Sequence, residues 1–234
     1  MAAGSLLAVP SVGGERLVRD LSLFPPSARF VSLRTDDGHN LRNYDNLDEQ
    51  EKGVVSGAVD VRKGEFGDAR WCAHRALDEL GVEGPHRIMR GEAGMPLWPA
   101  GVCGSLTHTD GFRAAVVAPL SQVRSIGIDA ELAEPLPEGV LAQIACPTEL
   151  QMLDALRAEG CFWADRLLFC AKEATYKCWF PLARKMLEFD QAEIYIRPDG
   201  TFVSYILERP TPAPFFEGRW VHRAGYVITS AFLV

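Results

Sequence analysis

The segment FCAKEATYKCWFPL, residues 169–182, sets Lys172, Glu173 and Lys177 among phenylalanine, cysteine, alanine, tyrosine and tryptophan. Charges in so apolar a run need partners, because burying an unpaired charge is costly. Read alone, Glu173 and Lys177 satisfy each other as an (i, i+4) helical pair while Lys172 snorkels to the surface. A second acidic group alters that balance. In SIGIDAEL at 125–132, strand alternation puts Ile126 and Ile128 on one face and Gly127, Asp129 and Glu131 on the other. Neighbouring carboxylates repel unless a cation joins them, although a solvent-facing polar edge gives the same pattern. With Glu173 brought to the same place, three carboxylates form a hard-cation site of the kind Mg²⁺ occupies, and Lys172 lies beside a phosphate.

Two further stretches could bind anions. In GSLTHTDG, Ser105, Thr107 and His108 lead into an apolar strand. A lone histidine commonly serves as a structural hydrogen-bonder, and Ser105 has neither a glycine two places earlier nor an evident triad partner. Between 61 and 81, Lys63, Arg70 and His74 share one helical stripe flanked by Arg62, with Glu65 and Asp68 elsewhere. That is a solvated helix face or, more sharply, a phosphate clamp, to which Arg90 in PHRIMRG could add.

The elements that must position these groups follow from periodicity. Apolar residues recur at helical spacing from 59 to 80, with Gly81 as the stop, and GEAGMPLWPAGVCG reads as a long loop. The runs 112–120 and 125–129 are expected to form one antiparallel hairpin. Residues 132–147 read as a loop around a short helix, 148–160 as a helix, and 163–180 as a stronger helix closed by Pro181. Two hairpins end the chain, turning at 198–200 and 223–225. Residues 1–50 hold only short elements and loops. The fold class is α+β.

Composition bounds the function. Of 234 residues 47% are hydrophobic and 24% charged, an ordinary globular balance. The net charge of −7 argues against gripping nucleic acid through the overall field, so an anion site must be local. The N-terminus lacks an export-signal pattern and no apolar run is long enough to span a bilayer, so a cytoplasmic protein without a membrane partner is expected. The six cysteines are scattered without close pairing and read as reduced thiols, with no zinc site evident.

Taken together and in this order, RKGEFGDARWCAHRAL, GEAGMPLWPAG, GSLTHTDG, GIDAE and FCAKEATYK resemble the surfactin/enterobactin type of 4′-phosphopantetheinyl transferase. The pairing of GIDAE with KEATYK some forty residues later is the specific part. The resemblance implies the α+β 4′-phosphopantetheinyl transferase fold, with two pseudo-symmetric halves, 1–120 and 121–234, and the active site in the cleft between them. It implies transfer of the phosphopantetheine arm of coenzyme A to a serine of an acyl or peptidyl carrier protein, as in polyketide, nonribosomal peptide, siderophore or fatty-acid synthesis. Adenosine 3′,5′-bisphosphate is released, and the nucleophile comes from the partner.

Carried over, Asp129, Glu131 and Glu173 would hold Mg²⁺, with Mn²⁺ as an alternative, against the pyrophosphate. Glu173 would be the general base, directly or through a metal-bound water. Lys172 and Asp129 would meet the pyrophosphate side of coenzyme A, and Lys177 would support that network. Arg62, Arg70, Arg90, Thr107 and His108 would bind the cosubstrate, its 3′-phosphate falling to Arg62, Arg70 and His108. Met95 replaces a lysine of the surfactin branch, a contact Arg90 could supply. The carrier would dock on 132–147 and the following helix, helped by Arg157, Arg166 and Arg184, and the enzyme would act as a monomer. The competing classes are a Mg²⁺-dependent phosphohydrolase or nuclease, and a non-catalytic coenzyme A-binding scaffold of the same fold.

Overall fold

The computed structural model describes residues 23–35 and 40–234; the expectations for residues 1–22 and 36–39 lie outside them. Two antiparallel sheets carry the molecule. The first has the order β1 (Arg29–Arg34), β5 (Phe112–Pro119), β4 (Val102–Thr109). The second runs β6 (Ser125–Leu132), β10 (Tyr226–Leu233), β9 (Phe215–Arg223), β8 (Thr201–Ile206), β7 (Ala192–Ile196). Both terminal hairpins form with the expected turns.

The hairpin expected between 112–120 and 125–129 does not form. β5 pairs with β1 and β4, and β6 pairs with β10, Asp129 standing opposite Thr229. The short connection therefore carries the chain from one sheet to the other. GSLTH, expected to precede a strand, is itself strand β4 and the edge of its sheet. Its neighbour across the gap is β6, the edge of the second sheet. They are joined by side chains in place of a ladder: the Ile128 N–H donates to Ser105 Oγ and the Ala130 N–H to Thr107 Oγ1, each at 3.1 Å. Two hydroxyls thus satisfy edge donors that would otherwise be orphaned.

Helix α3 (Asp60–Leu80) covers the first sheet, burying Cys72, Ala73, Ala76 and Leu77 against Val31, Leu33, Ala115 and Val117. It ends at Gly81 with φ 80°, the left-handed stop that glycine tolerates. Short helices α1 (Arg42–Asp45) and α2 (Glu49–Gly53) precede it. Just before the stretch expected to be a loop lies β2 (Met89–Arg90), which pairs with β3 (Pro96–Leu97) inside that stretch.

After α4 (Leu141–Ile144) and α5 (Pro147–Ala158) comes α6 (Ala164–Ala183), which lies on the second sheet through Leu167, Cys170, Ala171, Ala174 and Cys178. Pro181 does not close α6. It sits in the last turn, where one backbone donor is lost, and the chain leaves the helix at Arg184 in the left-handed region (φ 52°). A third apolar cluster, with Phe30, Phe112 and Val116 facing Ile126, Ile128 and Phe232, is shared by the two sheets. All six cysteines are free thiols. Among the described residues no helix is long and apolar enough to cross a membrane.

Candidate active site

A cavity of about 590 Å³ opens between α3, the β2–β3 turn, β4 and the C-terminal half of α6. Arg62, Arg70, Arg90, His108, Lys177 and Arg184 line it. Arg62 and Arg70 stand eight residues apart on α3 and so share a face. One Arg62 nitrogen lies 2.8 Å from His108 Nε2 and 3.2 Å from Glu65 Oε2. Arg70 is nearly buried; its Nε donates to the Ile88 carbonyl at 3.1 Å and its guanidinium lies over Phe66, 4.4 Å from the ring centre. Burial pushes its pKa down to about 10, with the charges of Arg62 and Arg90 acting in the same direction and Glu51 opposing them. Burial and the neighbouring Arg62 likewise hold His108 below the ordinary histidine value. Several basic side chains converging on one cavity suit a multiply charged anion.

The acidic groups gather beside it. Asp129 Oδ1 accepts from Lys177 Nζ at 2.7 Å and from Thr107 Oγ1 at 3.1 Å, while among the described residues its buried Oδ2 has no hydrogen-bond partner. Gly127 makes this contact geometry available. A Cβ there would stand 2.0 Å from the Ala174 carbonyl oxygen, so only glycine lets α6 lie on β6 and deliver Lys177 to Asp129. The space that Gly127 opens is therefore filled by a helix. Glu131 meets Arg166 at 3.3 Å, and Arg166 also donates to the carbonyls of Glu134 and Pro135. Burial, then the charge of Asp129, raises the pKa of both Glu131 and Glu173 above the usual carboxylate range. For Lys177 the burial cost is outweighed by Asp129 and Glu173, so its pKa is raised and it stays protonated.

The expected three-carboxylate cluster is not assembled. Among the described residues no three Asp, Glu, His or Cys side chains stand close enough to hold an ion as they are. Lys177 and Arg166 take oxygens that an ion would use. The donor set nevertheless suits a hard divalent cation: the oxygens are carboxylate, one of them is orphaned in the interior, and the mutual repulsion of the acids is what a cation relieves.

Lys172 is corrected more sharply. It neither snorkels nor points to the large cavity: its ammonium is buried, 3.0 Å from Glu149 Oε2, and donates to the Phe189 and Ala192 carbonyls at 2.7 Å each. Glu149 in turn accepts the Cys146 and Ile194 N–H groups at 2.7 Å each. The physical reason is that a buried ion pair is tolerated only when its remaining lone pairs and protons are satisfied, and here they are. Thr107 is also withdrawn from the cavity wall; it is buried and holds Asp129.

The stripe of Lys63, Arg70 and His74 is not an open clamp, since Lys63 pairs with Asp60 while Arg70 and His74 both meet Glu51. Nor do Arg157, Arg166 and Arg184 form one free patch: Arg157 pairs with Asp154 and Asp165, Arg166 with Glu131, and Arg184 lines the cavity. Sequence reasoning gave Arg166 a docking role and missed its pair with Glu131, and it passed over Glu149 and Tyr176 as site residues. Only Glu149 carried a signal, as the acid two residues after Pro147 at a helix start. Tyr176 borders both the large cavity and a smaller one of about 160 Å³ that Glu173, Met186 and Phe189 help to line.

Residues 50–118 match the family described as the 4′-phosphopantetheinyl transferase N-terminal domain, and residues 125–231 match the 4′-phosphopantetheinyl transferase superfamily. The 4′-phosphopantetheinyl transferase Npt of Nocardia iowensis is 44% identical over 194 residues, covering 77% of this chain and 86% of the relative. PptT of Mycobacterium tuberculosis is 43% identical, covering 79% and 85% respectively. Svp of Streptomyces mobaraensis is 44% identical, covering 77% and 76%. Both carry the same 4′-phosphopantetheinyl transferase description.

Proposed function

The chain belongs to the 4′-phosphopantetheinyl transferase superfamily, enzymes that move the phosphopantetheine of coenzyme A onto carrier proteins, and on that premise we propose how its cleft divides the work. Arg62, Arg70, Arg90 and His108 hold the 3′-phosphate, a group of charge roughly −1.5 to −2 that calls for several cations. Asp129, Glu131 and Glu173 hold a divalent cation, Mg²⁺ in the first instance. When bound, that ion supplies charge neutralisation at the pyrophosphate. Lys177 spans the two regions, because it lines the cationic cavity and bonds Asp129. That bridging contact carries the reading: it joins the phosphate-binding end to the acidic end in one cleft.

Glu173 takes the proton from the carrier serine. Its carboxylate, carried on α6 one turn before Lys177, is the group positioned for that role, directly or through a water. The smaller cavity, which shares Tyr176 with the larger and is bordered by Glu173, receives the pantetheine arm, which stays bonded to the reacting phosphate as that phosphate passes to the serine oxygen and adenosine 3′,5′-bisphosphate leaves. Lys172 supports from behind: its pair with Glu149 locks α6 to α5 and β7, which fixes the helix that presents Glu173 and Lys177. The carrier approaches over residues 132–147 and α5, where Arg166 ties Glu131 to the loop; charge reversals there that leave the carrier KM unchanged would refute this placement.

The test is intact-mass spectrometry of an apo carrier incubated with coenzyme A, Mg²⁺ and the enzyme, with Glu173→Ala in parallel. One phosphopantetheine should be added by the parent and little or none by the variant. Full transfer by the variant would remove Glu173 from the role of base.

A further inference from the structure

Glu51 sits in α2, outside the cleft, and is completely buried. Its Oε1 accepts the Ile88 N–H at 3.1 Å, lies 3.1 Å from His74 Nε2 and stands 3.6 Å from Arg70 Nε, while Oε2 has no hydrogen-bond partner among the described residues. A carboxylate in the interior must be offset by charge and hydrogen bonds, and these three groups are what surround it. Two of them lead to the cationic cavity. Arg70 lines it, and Ile88 leads directly into β2, which ends in the cavity residue Arg90.

Arg70 and Glu51 also grip the backbone of one residue, Ile88, through the peptide groups on its two sides. Arg70 Nε donates to the Ile88 carbonyl at 3.1 Å, and the Ile88 N–H donates to Glu51. A bidentate pair between Arg87 and Asp48, 3.0 Å at each contact, fastens the same segment to the start of α2. Among the described residues the terminal nitrogens of Arg70 and the guanidinium of Arg90 make no hydrogen bond, so both remain available to a ligand.

We propose that Glu51 is a positioning residue for nucleotide recognition, fixing Arg70 directly and Arg90 through the Ile88 peptide without itself reaching the substrate. The guanidiniums of Arg62, Arg70 and Arg90 repel one another in the cavity, and one captive anion behind them offsets part of that repulsion while leaving their outer nitrogens facing the ligand. The inference rests on the assignment of this cavity to the 3′-phosphate of coenzyme A.

Calorimetric binding of coenzyme A and of 3′-dephospho-coenzyme A separates the two claims and needs neither metal nor carrier. Arg70→Ala should weaken coenzyme A by about tenfold or more, the loss of one charge-assisted contact, and leave the dephospho ligand within about twofold. Glu51→Gln keeps an acceptor for the Ile88 N–H but drops the charge, and should weaken coenzyme A by about five- to tenfold with the same selectivity. Unchanged binding by Glu51→Gln beside a selective loss in Arg70→Ala would overturn the role of Glu51 alone. Equal weakening of both ligands would make Glu51 merely structural. No selective loss in Arg70→Ala would instead overturn the phosphate assignment beneath it. If Glu51→Gln does not fold, Glu51→Asp and Asp48→Asn decide. Asp48→Asn loosens the Ile88 segment from its exposed side, and a smaller loss confined to coenzyme A is expected; none, or an unselective one, refutes the proposal.

Discussion

Gly127→Ala adds one methyl group where β6 meets α6, and its consequences can be worked out from the backbone. The new carbon would lie 2.0 Å from the Ala174 carbonyl oxygen and 2.6 Å from the Cys178 nitrogen. Both are helix backbone, so no rotamer change relieves the clash. Reaching ordinary contact at 3.4 Å requires α6 to move by about 1.4 Å. Overpacking of this kind costs about 1–3 kcal/mol. The same displacement separates Lys177 from Asp129 and shifts Glu173, and a misplacement of about 1 Å can cost on the order of 10²-fold in rate. Urea denaturation and carrier modification by intact mass should therefore report a modest loss of stability beside a much larger loss of kcat/KM. Gly53→Ala is the control, since nothing lies within 4 Å of a Cβ there and the position is helical. If Gly127→Ala keeps its unfolding midpoint and its kcat/KM within about twofold of the parent, the claim that close helix–strand contact sets the site geometry is wrong.

Lys172→Met leaves Glu149 buried without its counter-charge, which should cost about 3–5 kcal/mol in urea denaturation while the folded fraction keeps its affinity for adenosine 3′,5′-bisphosphate; a loss of that affinity in a stable protein would return Lys172 to the phosphates. Thr107→Val removes the hydroxyl that donates to Asp129 and accepts from the Ala130 N–H, with an expected loss of about 1–3 kcal/mol and a fall in kcat, both restored by Thr107→Ser. In the free enzyme His108 titrates below its ordinary value, so near neutral pH it is uncharged; a bound phosphate raises that value, and binding should take up a proton. Coenzyme A affinity should then rise as pH falls from about 8 to about 6, and His108→Gln should flatten that slope; an identical slope in the variant would place the titrating group elsewhere. His108 also contributes to folding stability of the free protein with the opposite sign, present above the unfolded histidine value and lost as pH falls through the depressed folded one.

The parts of this architecture that were legible in sequence are those whose signal is local. Helices α3 and α6 and the two terminal hairpins show their period or their turn residues within their own span. The misplaced hairpin shows the limit. β5 is buried on both faces, so it has no alternation to mark a partner, and its true neighbours include β1, nearly ninety residues upstream in the register Arg29 to Val117. Edge strand β6 likewise finds β10 about a hundred residues later, a pairing no local pattern encodes. The same limit governs the charges. GIDAE and KEATYK announced an acidic site, yet their letters do not say which of two lysines serves it.

Lys172 and Lys177 stand on one helix roughly 140° apart, so both cannot face Asp129. The choice is made from outside the motif. Gly127 brings the Lys177 side of α6 onto β6, and Glu149 waits on the other side with a carboxylate whose remaining bonds are already filled by Cys146 and Ile194. One lysine becomes a strut and the other a participant because of where their partners were folded. The strut still serves the chemistry: it holds α6 against α5 and β7, and a general base on a helix is only as well placed as the helix itself.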